Sequence, residues 1–459
     1  MGLYLYRLGA ASLWLDEGIS FWSAQVDWSN PVHALESGNV RYQPLYFLLL
    51  RGAMTFGTSE FMLRALSVLG AVLALGLAYG FLRQHYGLGT ATVACLLLAT
   101  NPLFLSYAQE ARGYSLLVAA SVLATWLFVR TAESGRWSLR LAYGATAGLG
   151  AYLHLFIAWT VAAHLVALVG RPWPIRWLPV AAAVALAALI GAPLLVVMLV
   201  QGSKGLSWIP DASFDQFSSV VNDLGGGGWG ALALLVAALV AVIPAWRRGS
   251  KEGRWPTTVL LSTLVVPLVG AALASLAMPM LVSRYLIAVV FPLTALAAIG
   301  LLRLPARRLS LLFVLAAVGL MVQPNVAHYQ HPTKEDWRSA AASILDRSKS
   351  GDVILIYAAG VRQPYEYYAR QDGSGPPPPV LYPAGEWEPG HFIDSDSSSP
   401  VSAAVGEALK QRRVWVVLSH MSSAREEDRI LDALDAKYRV SYQRIFTGGI
   451  TVLLYERHD

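Results

Sequence analysis

The sequence predicts a membrane all-α protein, a polytopic helical bundle that ends in an extracytoplasmic α/β domain. Three observations carry this. The 459 residues are 55% hydrophobic and only 14% charged, with a mean hydropathy of +0.48, which excludes an ordinary soluble chain of several domains. Apolar stretches long enough for a hydrocarbon core of roughly 30 Å recur from residue 60 onward. After Gln323-Pro324 the composition changes abruptly to alternating helical and strand patterns. The implied division is 1–324 for the bundle and 325–459 for the outer domain.

From Glu17 to Phe56 the chain is amphipathic. Phe21, Trp22, Trp28, Tyr42, Tyr46 and Phe47 alternate with Asp27, Glu36, Arg41 and Arg51. That pattern predicts short helices lying in the membrane interface, broken at Asn30-Pro31 and before Pro44. About ten spans are expected near 60–82, 89–106, 114–130, 139–153, 154–170, 177–200, 229–246, 257–278, 285–303 and 308–323. The pair around His154 reads as two short helices or a broken hairpin. Gly225–Gly228 lacks the Lys-Ser/Thr of a phosphate-binding loop and reads as a flexible connection.

The outer domain is expected to hold helices at Trp337–Ser348, Pro364–Arg370, Val401–Gln411 and Ala424–Tyr438. Its strands are expected at Val353–Tyr357, Val414–Leu418, Val440–Ile445 and Ile450–Tyr455. The stretch 371–400, with Pro376–Pro379 and Ser395–Ser399, reads as a long surface loop.

Charge sets the orientation. One set of loops holds Arg83, Arg130, Arg136, Arg140, Arg171, Arg176, Arg247, Arg248, Lys251, Arg254, Arg303, Arg307 and Arg308. The opposite set holds Asp16, Glu17, Glu110, Arg112, Lys204, Asp211, Asp215, Asp223 and Arg284. The first set is far richer in Lys and Arg, so it is expected to be cytoplasmic. Asp16, Glu110, Arg284 and the C-terminal domain then face outside a plasma (inner) membrane. The net charge of +6 belongs to those cytoplasmic loops, and no nucleic-acid partner is implied. The single cysteine, Cys95, lies in an apolar run and excludes a paired-cysteine metal or redox motif.

The polar residues that could do chemistry are few. In an outward cavity Asp16 could accept a proton from an attacking hydroxyl, with Glu17 holding position or a cation. The plainer reading makes Asp16 the N-cap of a helix. Glu110 and Arg112 sit in a very short outer loop. Arg112 suits a phosphorylated lipid head, because guanidinium binds phosphate through two parallel bonds; the plainer reading is a mutual Glu110–Arg112 ion pair that ends two helices. His154 suits a divalent ion, a phosphate or a hydrogen bond within the bundle, and His164 is expected to be structural. Arg284, beside Tyr285, neutralises a lipid phosphate or snorkels to the interface. A divalent cation near Glu17, Glu110 or His154 is compatible with these residues, though no spacing demands one.

The order of the motifs adds to this. Trp14-Leu15-Asp16-Glu17, Gln43-Pro44-Leu45-Tyr46, Arg64, Gln109-Glu110-Ala111-Arg112-Gly113-Tyr114 and Ser283-Arg284-Tyr285 together resemble bacterial GT-C-type glycosyltransferases. This is the large group related to protein O-mannosyltransferases and lipid A aminoarabinose transferases (glycosyltransferase family 39-like). The resemblance covers 10–305, and an outer tail beginning Lys334-Glu335-Asp336-Trp337-Arg338 is common in that group. It implies inverting transfer of a sugar from a polyprenyl-phosphate carrier to an acceptor outside the cytoplasm. The expected base falls on Asp16 and a second outer acidic site on Glu110. Phosphate contacts fall on Arg112 and Arg284.

Two departures stand out. Relatives read His-Pro-Pro-Leu-Tyr where this chain has Tyr42-Gln43-Pro44-Leu45-Tyr46, so any role of that His is absent or moved here. Relatives also carry a full leading helix before the Asp-Glu loop. Here Gly2–Arg7 resembles only its last turns, which implies a start site placed too far downstream or a truncated copy. A transporter or flippase of lipid-linked sugars, and a membrane-anchored binding protein, are the alternative functions. The first would need broken helices or ionisable groups at mid-membrane. The second would make the polar residues of 10–285 dispensable.

Overall fold

The computed structural model describes residues 2–37, 40–134, 136–171, 177–201, 209–248, 251–330, 333–371, 376–384, 401–420 and 424–458. Arg176, Lys204 and Ser395–Ser399 lie outside the described residues. The chain divides into two compact units. One comprises Met1–Tyr6, Arg41–Leu49 and Arg64–Gln330; the other comprises Arg7–Val40, Leu50–Leu63 and His331–Asp459. The spanning helices thus fall in the first unit, while the Asp16 segment groups with the C-terminal sheet.

In the first unit, six helices among the described residues are long and apolar enough to cross a membrane, or eight if each of two bent pairs is one span. This is a multi-pass membrane protein. Val290–Leu301 is buried at every residue, as expected of a helix that is apolar on all sides and surrounded by others. Trp177–Val200 instead exposes Leu178, Leu189, Leu199 and Val200, the surface a lipid-facing helix presents.

Both bends have local causes. Leu88–Thr100 and Pro102–Ala108 meet at 67°, where Pro102 cannot donate to the preceding turn. Asn101 restarts the ladder by accepting the Phe104 N–H at 3.0 Å, and its amide donates to the Leu224 carbonyl at 3.0 Å. Phe214–Leu224 and Gly228–Val240 meet at 83°. Gly226, Gly227 and Gly228 turn there with φ of +94°, +87° and +48°, a conformation that costs glycine least. The glycine run is therefore a helix-to-helix corner. Around His154 the two-short-helices reading holds, with Trp137–Ala151 and Ile157–Ala167 flanking it. His164 is structural as expected. Its ring lies 3.1 Å from both Thr125 Oγ1 and the Tyr143 hydroxyl and stacks on Phe128.

In the second unit, β1 (Val353–Tyr357), β2 (Val380–Tyr382), β3 (Arg413–Leu418), β4 (Tyr438–Phe446) and β5 (Ile450–Arg457) form one sheet in the order β2-β1-β3-β5-β4. β1 runs parallel to β2 and β3, whereas β5 is antiparallel to both its neighbours. Helices cover both faces. Val353 and Leu355 pack with Ala408, Ile430 and Leu434 on one side. Ile354 and Ile356 pack with Trp337, Ile344 and Tyr365 on the other. This explains why β1 is a continuous apolar run rather than an alternating one.

The four helices and four strands expected here all form, with ends shifted by a few residues. The loop reading of 371–400 needs one correction: Val380–Tyr382 is a strand. It follows a proline run and is specified by pairing to Ile354 and Leu355, a tertiary contact that three residues cannot announce.

Candidate functional site

Asp16 and Glu17 occupy the first turn of the helix Leu15–Ser23. The reading of Asp16 as N-cap is corrected here. Trp14 holds that position in extended conformation and makes no side-chain capping bond, since an indole has no acceptor to offer. Asp16 is half-buried, whereas Glu17 is fully buried. The two carboxylates therefore do not share one environment. Only Asp16 is open enough to meet a substrate hydroxyl directly.

The segment is held from a distance in sequence. The Tyr368 hydroxyl accepts the Leu13 N–H at 2.7 Å, lies 3.1 Å from Ser12 Oγ, and donates to Glu60 at 3.0 Å. Ser12 Oγ also accepts the Arg338 N–H at 3.0 Å, and the Arg338 guanidinium pairs with Glu60 at 2.6 Å. Leu15 N–H donates to Glu335 Oε2 at 3.3 Å. The helix itself lies on Arg362–Gln371. A Cβ at Gly18 would stand 2.8 Å from Pro364 N, and Trp22 donates its indole N–H to Gln363 O at 2.9 Å. Glu335, Tyr368, Glu60 and Arg338 were not singled out as site residues from sequence. The only signal was the Lys334–Arg338 tail, whose Glu335 and Arg338 both reach this segment.

In the first unit a second polar centre forms. Gln109-Glu110-Ala111-Arg112-Gly113 is a tight turn closed by Arg112 N–H to Glu110 O at 2.7 Å. Ser67 Oγ donates to Arg112 O at 2.9 Å and Gln43 Oε1 accepts the Gly113 N–H at 3.0 Å. Gln43 thus braces this turn. Gln109 Nε2 donates to the carbonyls of Tyr4 and Tyr6, and Gln109 Oε1 accepts from Tyr329. Glu110 is buried, and Arg112 is half-buried.

His154 joins this centre. It is 7% exposed, and its ring lies 5.6 Å from Tyr114 and 5.1 Å from Tyr285. The positive charges of Arg112 and Arg284 are both felt at its imidazole. Nδ1 accepts the Phe156 N–H at 3.2 Å, so only Nε2 is left for a ligand. Arg284 stands over the Tyr285 ring at 5.7 Å. Arg112, His154, Arg284 and Tyr285 are thereby gathered from three separate segments, a basic and aromatic lining suited to an anion. No three residues among His, Cys, Asp and Glu come together as a metal set among the described residues. A cation at His154 and Glu110 would need further ligands from its substrate or from water.

Residues 43–200 match the family of dolichyl-phosphate-mannose-protein mannosyltransferases. A comparison with curated protein sequences finds no significant match. Among solved structures, ArnT from Cupriavidus metallidurans in the apo state is similar with a TM-score of 0.68 at 16% identity, over 98% of this chain and 95% of that one. The same protein bound to undecaprenyl phosphate gives 0.61 at 14% identity, over 98% and 96%. The oligosaccharyltransferase AglB from Archaeoglobus fulgidus, in complex with an inhibitory peptide and a dolichol-phosphate, gives 0.53 at 14% identity, over 100% and 73%. The chain therefore matches the dolichyl-phosphate-mannose-protein mannosyltransferase family over residues 43–200 and has the fold of ArnT from Cupriavidus metallidurans.

Proposed function

We propose that this protein is an integral-membrane inverting glycosyltransferase that moves a sugar from a polyprenyl-phosphate donor to an acceptor outside the cytoplasm. The observation that carries the reading is the fold, shared over nearly the whole chain with ArnT, one of whose structures holds undecaprenyl phosphate. The half-buried Asp16 in a helix's first turn supports it, as does the gathering of Arg112, His154, Arg284 and Tyr285.

In this reading the acceptor O–H gives its proton to the Asp16 carboxylate as its oxygen attacks the anomeric carbon. The bond from that carbon to the phosphate oxygen breaks, and its electron pair leaves with the polyprenyl phosphate from the opposite face. Charge grows on the phosphate, where Arg112 and Arg284 stabilise it. Glu17 is too buried to meet substrate and holds the helix start. Glu110 shapes the turn that presents Arg112. The membrane location follows from the donor, whose isoprenoid chain needs lipid.

The test supplies purified protein in lipid with radiolabelled polyprenyl-phosphate sugars and envelope extracts as acceptors. Label is expected to move to acceptor with wild type and to be lost in Asp16→Asn. Transfer that persists undiminished in that variant removes the mechanism. Lipid-linked sugar crossing vesicles without transfer would instead mark a flippase. Specific extract binding with neither outcome would mark a binding protein.

A further inference from the structure

The helix that carries Asp16 and Glu17 begins without a capping side chain of its own. The first N–H groups of a helix need acceptors, and a carboxylate there also meets the positive end of the helix dipole. Glu335, 320 residues away in sequence, provides that carboxylate at the Leu15 N–H. The same Oε2 accepts the Trp337 indole N–H, and Oε1 lies 3.2 Å from His420 Nε2.

Glu335 is only 6% exposed, and its backbone has no room to move. Asp336 N–H donates to Thr447 O at 3.0 Å in the β4–β5 turn. Gly448, with φ of +82°, sits so close that a Cβ there would be 2.5 Å from Glu335 Cα. His420, two residues past the end of β3, has a φ of +52°, and its Nδ1 is 3.2 Å from Ser419 Oγ, which leaves Nε2 turned to Glu335. A buried carboxylate must be satisfied, and beside Trp337 and His420 the partner that Glu335 takes is the N–H that opens the Asp16 helix. The result is a fixed helix start directly before Asp16.

We propose that Glu335, backed by His420, is a positioning residue for sugar transfer: it caps the Asp16 helix in place of a local cap and so fixes the turn from which Asp16 takes the acceptor proton. This rests on the reading of Asp16 as the base. Without Glu335, the first-turn amides would be left to water or to Asp16 itself, and a carboxylate occupied with capping is withdrawn from the acceptor. Gln is the conservative replacement, because its amide oxygen accepts the same N–H. Asp keeps the charge but is one methylene too short.

The test uses the full chain in lipid and two readouts, steady-state transfer and amide hydrogen exchange over residues 13–19. Glu335→Ala and Glu335→Asp are expected to lower kcat by about tenfold or more with KM for the donor little changed, and to speed exchange over 13–19. Exchange in β3 should stay as in wild type. Glu335→Gln is expected to restore both readouts to near wild type. Wild-type kcat and protection in Glu335→Asp would overturn the proposal. So would equal impairment of Glu335→Gln and Glu335→Ala, or an effect confined to KM. If Asp16→Asn abolishes transfer while Glu335→Ala and Glu335→Asp do not impair it, only this inference fails. If wild type transfers no sugar, the proposed function fails and the exchange data alone decide whether Glu335 fixes the turn.

Discussion

The two polar centres are braced in a similar way but present different chemistry. The Asp16 turn is held by side chains, with the Tyr368 hydroxyl, the Glu335 carboxylate and Ser12 Oγ each meeting backbone from a distant part of the chain. The Glu110–Gly113 turn is likewise braced by distant side chains, Gln43 and Ser67, and it also closes on itself through an internal 2.7 Å bond. The first leaves a carboxylate half-open on a braced scaffold. The second leaves guanidinium groups beside aromatic rings. Under the proposed function these settings suit a base and an anion clamp: one must reach a proton, the other must favour negative charge.

The sharpest test of that contrast is Asp16→Asn against Glu17→Gln. The first is expected to lower the transfer rate by about 10²–10⁴-fold, as removal of a general base does. The second should act on thermal stability more than on rate, because Glu17 is fully buried. Equal rate losses in the two would break the distinction drawn here.

Next in size are the clamp residues. Arg112→Ala and Arg284→Ala should each weaken donor interaction by about 1.5–3 kcal/mol, the worth of a charged hydrogen bond. Donor titrations would read this as a fall in kcat/KM of roughly ten- to a hundredfold. Donor kinetics unchanged in both variants would remove the clamp.

Gln43→Leu leaves the buried Gly113 N–H without its acceptor. The expected cost is about 1–3 kcal/mol, seen as a lower unfolding temperature together with a donor KM shift. Gly18→Ala, by contrast, forces the Asp16 helix off Pro364. It should cost about 1–3 kcal/mol and lower the rate without moving donor KM. The two variants thus separate the centres by which kinetic constant responds.

The smallest effect concerns pH. Burial raises the Glu335 carboxyl above the ordinary range, with the nearby Asp16 charge adding to the rise while His420 opposes it. The folded state therefore holds that proton more tightly than the unfolded one, and stability falls as pH climbs from the ordinary Glu value through the raised one. Unfolding temperatures taken from about pH 4 to about pH 8 should show this decline in wild type, and a shallower one in Glu335→Gln.

Much of the fold was legible in the sequence. Long apolar runs can only be helices in lipid, because every backbone group there must be satisfied within its own segment. The breaks at Asn101-Pro102 and Gly225–Gly228 also announce themselves through backbone chemistry, although the second was read as flexible and proved to be a corner. The C-terminal sheet was found through its apolar strands, and only Val380–Tyr382 escaped. The candidate site was legible only as a set of residues. Asp16, Arg112, His154 and Arg284 stand out because charge beside apolar runs is expensive.

What holds those residues was not legible. Composition and order along the chain determined the membrane class, most helix positions, the C-terminal α/β domain and the short list of polar candidates. Each follows from the local cost of placing a residue in lipid or in a strand. Tertiary structure alone decided that Asp16 is half-open and Glu17 buried, that Gln43 braces Gly113, and that Glu335 caps the helix of Asp16. Those facts depend on contacts between residues up to hundreds of positions apart, which no local pattern encodes.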